Sequence, residues 1–369
     1  MMQRRPIWPL VKSWLDVFDA PLLLITGTLA VLSIITMASS AYDFTGRFEG
    51  HLRNFMFAFL VMWICANISP QALMRIAVPV YAAGVALLVA VAVFGLVKKG
   101  ARRWLDIGPL VIQPSEMLKI GLPLMLAWYF HKREAVLQMR DFAIAAVLLA
   151  IPTGLILRQP DLGTAVLVFG AGFSVIFFAG LSWKIIVGMG VAGLASLPVI
   201  WTLLHDYQRQ RVITLLDPTS DPLGKGFHII QSTIAIGSGG LFGKGWMQGT
   251  QTHLEFIPER TTDFIFSVYS EEFGLVGNVV LVTVYVALIL RSLMIAAAAP
   301  TLFSRLLAGA VTLILFMYAF VNMGMVSGIL PVVGVPLPLM SYGGTAMVTL
   351  AIGLGMLMSI QRHRTLVQS

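Results

Sequence analysis

The chain has 369 residues, of which 58% are hydrophobic and 11% charged, with a formal net charge of +8. That usage excludes a soluble globular domain and points to a polytopic membrane protein. The cations are scattered over short loops, where they serve as topology signals and headgroup contacts, so nucleic acid is not an expected partner.

From the N-terminus, Arg4, Arg5 and Lys12 precede an apolar run at about 21–37. Ser39, Ser40 and Ala41 are faintly cleavage-like. The apolar core is too long and the basic region too displaced for a signal peptide, so a retained first span is expected. Further spans are expected at about 52–68, 76–97, 115–130, 142–157, 163–181, 184–204, 264–290, 306–329 and 342–360. The uncharged runs 76–97, 162–183 and 185–204 each have the length that crosses a hydrocarbon core of roughly 30 Å as helix. Backbone groups in lipid must be satisfied within the segment, and the alternation of a β-barrel is absent. The expected fold is all-α: one polytopic integral membrane domain over 1–369 with about ten transmembrane helices. A large extracytoplasmic loop, 205–263, separates spans 7 and 8.

Lysine and arginine in short loops set the orientation. With the N-terminus inside, the inner face holds Arg4, Arg5, Lys12, Arg75, Lys132, Arg133, Arg140, Lys184, Arg291, Arg305, Arg362 and Arg364. The outer face holds fewer: Arg47, Arg53, Lys98, Lys99, Arg102, Arg103 and Arg158. Both termini are therefore expected in the cytoplasm, although Lys98, Lys99, Arg102 and Arg103 run against the rule.

That basic outer cluster, KKGARRWLDIGPLVIQPSEMLK, enters a helix through Pro114, Ser115 and Glu116. Glu116 reads on its own as a first-turn acid. Lys119 lies three residues on, on the same face, so the two are expected to pair. Ionisable groups this near the membrane are functional candidates. GMGVAG (188–193) satisfies GxGxxG inside an apolar span with no preceding strand, which favours close helix packing over a nucleotide site. GSGGLFGKG (237–245) resembles a phosphate-binding loop only in composition, since Lys244 is followed by glycine. Its glycines are expected to permit unusual backbone angles in a loop on the membrane surface. The long polar loop closes on LEFIPERTTDFIFSVYSEE, with Asp263 directly before a new apolar run. Pro331, Pro336 and Pro338 mark an uncharged loop apolar enough to dip into lipid. The single Cys65 permits no internal disulfide, and the six histidines show no metal-ligand spacing.

Taken together, KGARRWLDIGPLVIQPSE, RQPDLGTA, HDYQRQRV, LLDPTSDPLGKGFHIIQSTIAIGSGGLFGKGW, IPERTTDFIFSVYSEEFGLVG and GVPLPLMSYGGT resemble the SEDS family (shape, elongation, division and sporulation). The resemblance covers almost the whole chain, and HDYQRQRV and LLDPTSDPLGKGFHIIQS are similar to the elongation branch rather than the septal one. It implies a peptidoglycan glycosyltransferase of the bacterial cytoplasmic (inner) membrane that uses lipid II, an undecaprenyl-pyrophosphate-linked disaccharide pentapeptide. It also implies a class B penicillin-binding protein and other rod-elongation proteins as partners. The family's catalytic acid falls at Asp263, and other cavity residues fall at Trp104, Glu116, Lys119 and Asp161. A carboxylate in reach of the acceptor hydroxyl suits a general base. Cations suit the departing pyrophosphate, and Lys119, Arg102, Arg103, Arg209 and Arg211 form the available pool. A divalent cation, Mg2+ or Mn2+, could share that task, but no oxygen-ligand cluster marks its site. A lipid II flippase and a non-enzymatic scaffold for the penicillin-binding protein are the rival readings. A flippase would be expected to show repeat symmetry or paired broken helices, and a scaffold needs none of Glu116, Lys119 or Asp263.

Overall fold

The computed structural model describes residues 17–98, 101–107, 110–159, 161–204, 206–220 and 224–364. Arg4, Arg5, Lys12 and Lys99 of the topology argument, and His205 at the start of the long loop, lie outside them.

Among the described residues, ten long helices run back and forth between two faces: α1 Ala20–Ser40, α2 Arg47–Asn67, α3 Pro70–Phe94, α4 Pro114–Lys132, α5 Met139–Leu157, α6 Leu162–Phe178, α7 Trp183–Leu203, α11 Ile265–Ala297, α12 Leu302–Val326 and α13 Gly344–Arg362. Each coincides with an expected span. Seven are long and apolar enough to cross a membrane by length and composition alone. The other three depart for legible reasons: α2 and α4 carry charges, and α6 has 17 residues.

Local chemistry fixes where the helices begin. The Asp19 carboxylate accepts from Leu22 N–H at 3.0 Å, and Ser69 Oγ from Ala72 N–H at 3.3 Å, each with a proline in the opening turn. Asp161 caps α6 through Thr164 N–H at 3.3 Å. Contacts between elements then sort the ends. Arg291 holds Asp19 at 3.0 Å on one face, where Arg362 also meets Asn67 at 3.4 Å. On the opposite face Arg47 reaches Thr261 at 2.6 Å and Arg103 lies 3.6 Å from Asp161. The long polar loop, the basic cluster and the 327–343 loop all belong to this second face.

Helix α12 is the centre of the bundle, packed against α4, α6, α11 and α13. The most extensive pairing joins α2 to α13, and α1 lies on α11. Helix α7 is the opposite case: none of its described residues is buried, and Gly188, Gly190 and Gly193 face open space. The close packing expected of GMGVAG is therefore not formed among the described residues.

Three further features correct the sequence reading. The basic cluster is not a bare loop but a three-stranded antiparallel sheet, β1 Leu96–Lys98, β2 Ala101–Ile107 and β3 Leu110–Ile112. The pairing of Trp104 with Leu96 and of Leu105 with Ile112 sets its register. The long polar loop folds into α8 Asp206–Leu216, a short 3-10 turn Pro218–Ser220, α9 Lys225–Ser238 and α10 Thr250–His253. The 327–343 loop, expected to dip into lipid, is covered by protein: Val335, Leu337, Met340 and Ser341 are buried.

The glycine-rich stretch 239–245 has the unusual backbone angles expected of it, with positive φ at Gly240, Gly243 and Gly245, and it leaves Leu241 and Phe242 exposed while its backbone packs on a helix. Helix α11 is broken at Gly274, where φ is 65° and ψ is −160°. The stretch docks into the break. Leu275 N–H donates to Gly240 O at 2.9 Å and Val276 N–H to Leu241 O at 3.0 Å. Lys244 N–H and Gly245 N–H donate to Glu271 O and Glu272 O at 3.0 and 3.1 Å. Four backbone groups beside the break thus find partners in the docked stretch, as non-helical backbone buried in a membrane protein requires. A Cβ on Gly243 would collide with the Glu272 carbonyl, and one on Gly274 with Gly243 N. The Lys244 ammonium is bound 2.7 Å from the buried Glu271 carboxylate, which also accepts from Gln251 N–H at 3.0 Å. That structural role accounts for the lysine of the phosphate-loop look-alike.

Candidate active site

Asp263 lies in the turn 261–264, before α11 begins. The helix takes Phe264 as its N-cap and has no acid in its first turn, so Asp263 is not a first-turn acid. Three consecutive carbonyls fix the turn. Thr261 O accepts from Tyr342 N–H at 2.8 Å, Thr262 O from Ser341 Oγ at 2.6 Å, and Asp263 O from Asn322 Nδ2 at 2.8 Å. Just upstream, the buried Arg260 guanidinium is hydrogen-bonded to Asp43 and donates to Ser40 O at 3.0 Å. With its backbone held at so many points, the half-buried Asp263 carboxylate has a fixed origin. A Cβ on Gly334, where φ is +76°, would come within 3.3 Å of Asp263 Oδ2. The neighbour of Gly334, Val333, closes on Gly163: a Cβ there would lie 2.8 Å from Val333 O. Gly163 is two residues from Asp161, so the 327–343 loop bridges the turn bearing Asp263 and the capped end of α6.

Asp161 is buried and collects three partners: Thr164 N–H, Gln113 Nε2 at 3.3 Å and Arg103 at 3.6 Å. Arg103 also donates to Gln159 O at 3.4 Å. One residue beyond Gln113, Pro114 opens α4, which carries Glu116 and Lys119 on one face. Lys119 is 3% exposed and its ammonium donates to Glu116 Oε1 at 2.6 Å. It donates also to the hydroxyl of Tyr318 on α12. The second Glu116 oxygen accepts from Thr349 Oγ1 of α13 at 3.3 Å. The expected acid–base pair is thus formed, and it is built into a four-residue polar cluster.

Glu116 and Gln113 also border an apolar groove of about 700 Å³ between α2, α3, α4 and α13, continued by Met117, Ile120 and Leu124. A second apolar groove, of about 600 Å³, separates α5 and α6 from α7.

Of the residues singled out from sequence, Asp263, Asp161, Arg103, Glu116 and Lys119 belong to this one network of contacts. Trp104 is half-buried on the central strand beside Arg103, and Arg102 is exposed there. Arg209 is placed differently: it donates to Trp201 O and Thr202 O at 3.0 and 2.7 Å, closing the end of α7. Arg211 is half-buried on α8. Sequence reading passed over Gln113, Tyr318, Asn322, Gly334 and Thr349. Tyr318 and Asn322 did carry a signal, as polar side chains one helical turn apart in an otherwise apolar span.

Fold and site define a multi-pass membrane protein whose carboxylates and cations converge at one face of the bundle. The FtsW/RodA/SpoVE family model, described as a cell cycle protein, matches residues 14–366, and the chain belongs to this family, the SEDS proteins. It is 51% identical to the peptidoglycan glycosyltransferase MrdB of Escherichia coli K12 over 95% of both chains. It is 32% identical to the peptidoglycan glycosyltransferase RodA of Treponema pallidum, over 94% of this chain and 98% of that one. Among solved structures, the rod shape determining protein RodA of Thermus thermophilus superposes with a TM-score of 0.71 at 32% identity, covering 94% of this chain and 97% of that one. A chain solved in a study of polymerisation and crosslinking by a peptidoglycan synthase complex gives 0.82 at 36% identity, covering 94% and 98%.

Proposed function

We infer that the chain is a peptidoglycan glycosyltransferase that polymerises lipid II during lateral wall growth, with Asp263 as general base. The observation that carries this reading is the carboxylate of Asp263 on a backbone pinned at three consecutive carbonyls, on the same face as Asp161, Glu116 and Lys119. The acceptor sugar hydroxyl gives its proton to Asp263 as its oxygen bonds to the anomeric carbon of the donor. The bond from that carbon to the pyrophosphate oxygen breaks, and the polyprenyl pyrophosphate leaves with the electron pair. Cations held in place beforehand stabilise that charge without reorganisation. Lys119 and Arg103 are the best placed, because Arg209 is committed to the end of α7. Trp104 belongs to the cavity on the family resemblance, and Arg102 and Arg211 are further cations available to the pyrophosphate. The apolar groove beside Glu116 suits a polyprenyl tail, since it opens toward lipid and ends at polar groups.

A divalent cation, Mg2+ or Mn2+, would add counter-charge at the pyrophosphate. Among the described residues no group of three or more His, Cys, Asp or Glu side chains could hold one. The proposed partners are a class B penicillin-binding protein and other rod-elongation proteins. The proposed location is the bacterial cytoplasmic membrane, with both termini inside and the Asp263 face outside.

The test is purified protein, with and without its partner, supplied with labelled lipid II and read for glycan polymer. Wild type makes polymer. Asp263→Asn keeps size and hydrogen bonding but cannot take the proton, and should lose about 10²–10⁴-fold in rate. Transport of lipid II in liposomes without polymer would identify a flippase instead, and Asp263→Asn within threefold of wild type would remove the general base.

A further inference from the structure

Two polar side chains on the central helix have no part in the chemistry written above, and both touch residues that do. Asn322 is fully buried and spends both amide protons on backbone carbonyls: Asp263 O at 2.8 Å and Val335 O at 2.7 Å. Val335 follows Gly334, the residue against the Asp263 carboxylate. One side chain therefore joins the turn that bears Asp263 to the loop that faces its oxygens. Among the described residues its own oxygen, Oδ1, has no hydrogen-bond partner. An acceptor buried without a donor is unfavourable, so packing alone does not explain an amide here.

Four residues earlier, on the same face of α12, the buried Tyr318 hydroxyl accepts from Lys119. A helical turn of about 5.4 Å thus separates the support of Asp263 from the support of Lys119. The other two carbonyl anchors of the turn, Tyr342 and Ser341, come from the 327–343 loop itself. Arg47 of α2 reaches the Thr261 side chain, but among the described residues Asn322 is the helix side chain bonded to the carbonyl of Asp263 itself, and its helix also holds the cation.

We propose that Asn322 is a positioning residue for Asp263, and that Tyr318, one turn away on α12, positions Lys119, so that this helix sets the spacing between base and cation. This rests on the reading of Asp263 as general base. Neither residue touches the reacting atoms. Each acts by keeping a reacting group within the narrow geometry that transfer requires, where a displacement of an ångström is costly in rate.

The experiment measures kcat and KM for lipid II polymerisation, with thermal stability in detergent, for Asp263→Asn, Asn322→Ala, Tyr318→Phe, Lys119→Met and the doubles Asp263→Asn/Asn322→Ala and Lys119→Met/Tyr318→Phe. Asn322→Ala should lower kcat by roughly ten- to a hundredfold with KM nearly unchanged. Tyr318→Phe should do the same to a lesser degree. Each double should be no worse than its Asp263 or Lys119 single, because a support has nothing left to support. A merely structural role would lower the Tm and leave kcat per folded molecule at its wild-type level. If Asp263→Asn is inactive and Asn322→Ala keeps kcat within about twofold, the inference is overturned and the general base stands. If Asp263→Asn polymerises normally, the reading of the site is overturned first. Should Asn322→Ala not fold, Tyr318→Phe decides, since it removes a single oxygen: a wild-type kcat there overturns the proposal.

Discussion

Lys119 shows what a buried charge demands of its surroundings. Its ammonium sits between Glu116 and Tyr318, and the far side of Glu116 is held by Thr349. Removing one member of such a pair leaves the other charge without compensation. Lys119→Met should cut polymerisation by at least about tenfold through loss of counter-charge to the leaving pyrophosphate. Wild-type activity at saturating lipid II would return Lys119 to a structural partner of Glu116. Asp43 supplies a separate test at the loop between α1 and α2. Burial, the largest single influence, raises its carboxyl, but the hydrogen bond and charge of Arg260 together with further hydrogen bonds outweigh it and hold the group below the usual carboxylate range. A folded value below the unfolded one means the contribution is present above the unfolded pKa and lost as pH falls through the folded one. Asp43→Asn should therefore be less stable than wild type at neutral pH. The gap in Tm should close as the pH falls below about 4, and a constant gap would dismiss the ion pair.

At the scale of elements, the ten spans could be read because lipid imposes length and apolarity on each segment by itself. The small sheet, the broken helix and the covered 327–343 loop could not, because each depends on a partner distant in the chain. The look-alike GSGGLFGKG has meaning only beside Gly274, some thirty residues on. The site divides along the same line: charged residues near the membrane announce themselves, whereas Asn322 and Tyr318 become legible only once α12 is known to lie at the centre. The docked loop makes a graded prediction. Gly240 has φ +56° with open space around it, so Gly240→Ala meets only backbone strain of about 1–2 kcal/mol. Gly274→Ala adds a collision with Gly243, for a loss on the order of 3–5 kcal/mol. Equal falls in the Tm of the two purified variants would show that the loop is not seated in the break.

For the whole molecule, the two faces defined by the contacts still have to be assigned to the two sides of the membrane. Cysteines placed at Thr219 and Gln248 should react with an impermeant thiol reagent in intact cells. The background should be low, because the single native cysteine, Cys65, is buried. Labelling only after lysis would reverse the orientation and move the proposed site to the cytoplasm.

The pairing of α2 with α13 also constrains how the chain is made. At about 5–20 residues per second, the ribosome delivers Gly344 tens of seconds after Asn67. Until then the first two helices wait in the bilayer without the surfaces they were shaped to meet. Their buried polar groups need partners during that interval. Ser33 Oγ and His51 Nε2, 2.8 Å apart, can satisfy each other as soon as α1 and α2 have both been inserted. Ser39 has no such early companion, because its acceptor Glu272 is synthesised more than two hundred residues later. The pair α1 and α2 is thus partly provisioned for its wait, and α13, the last of the ten long helices described, is the one that closes the bundle.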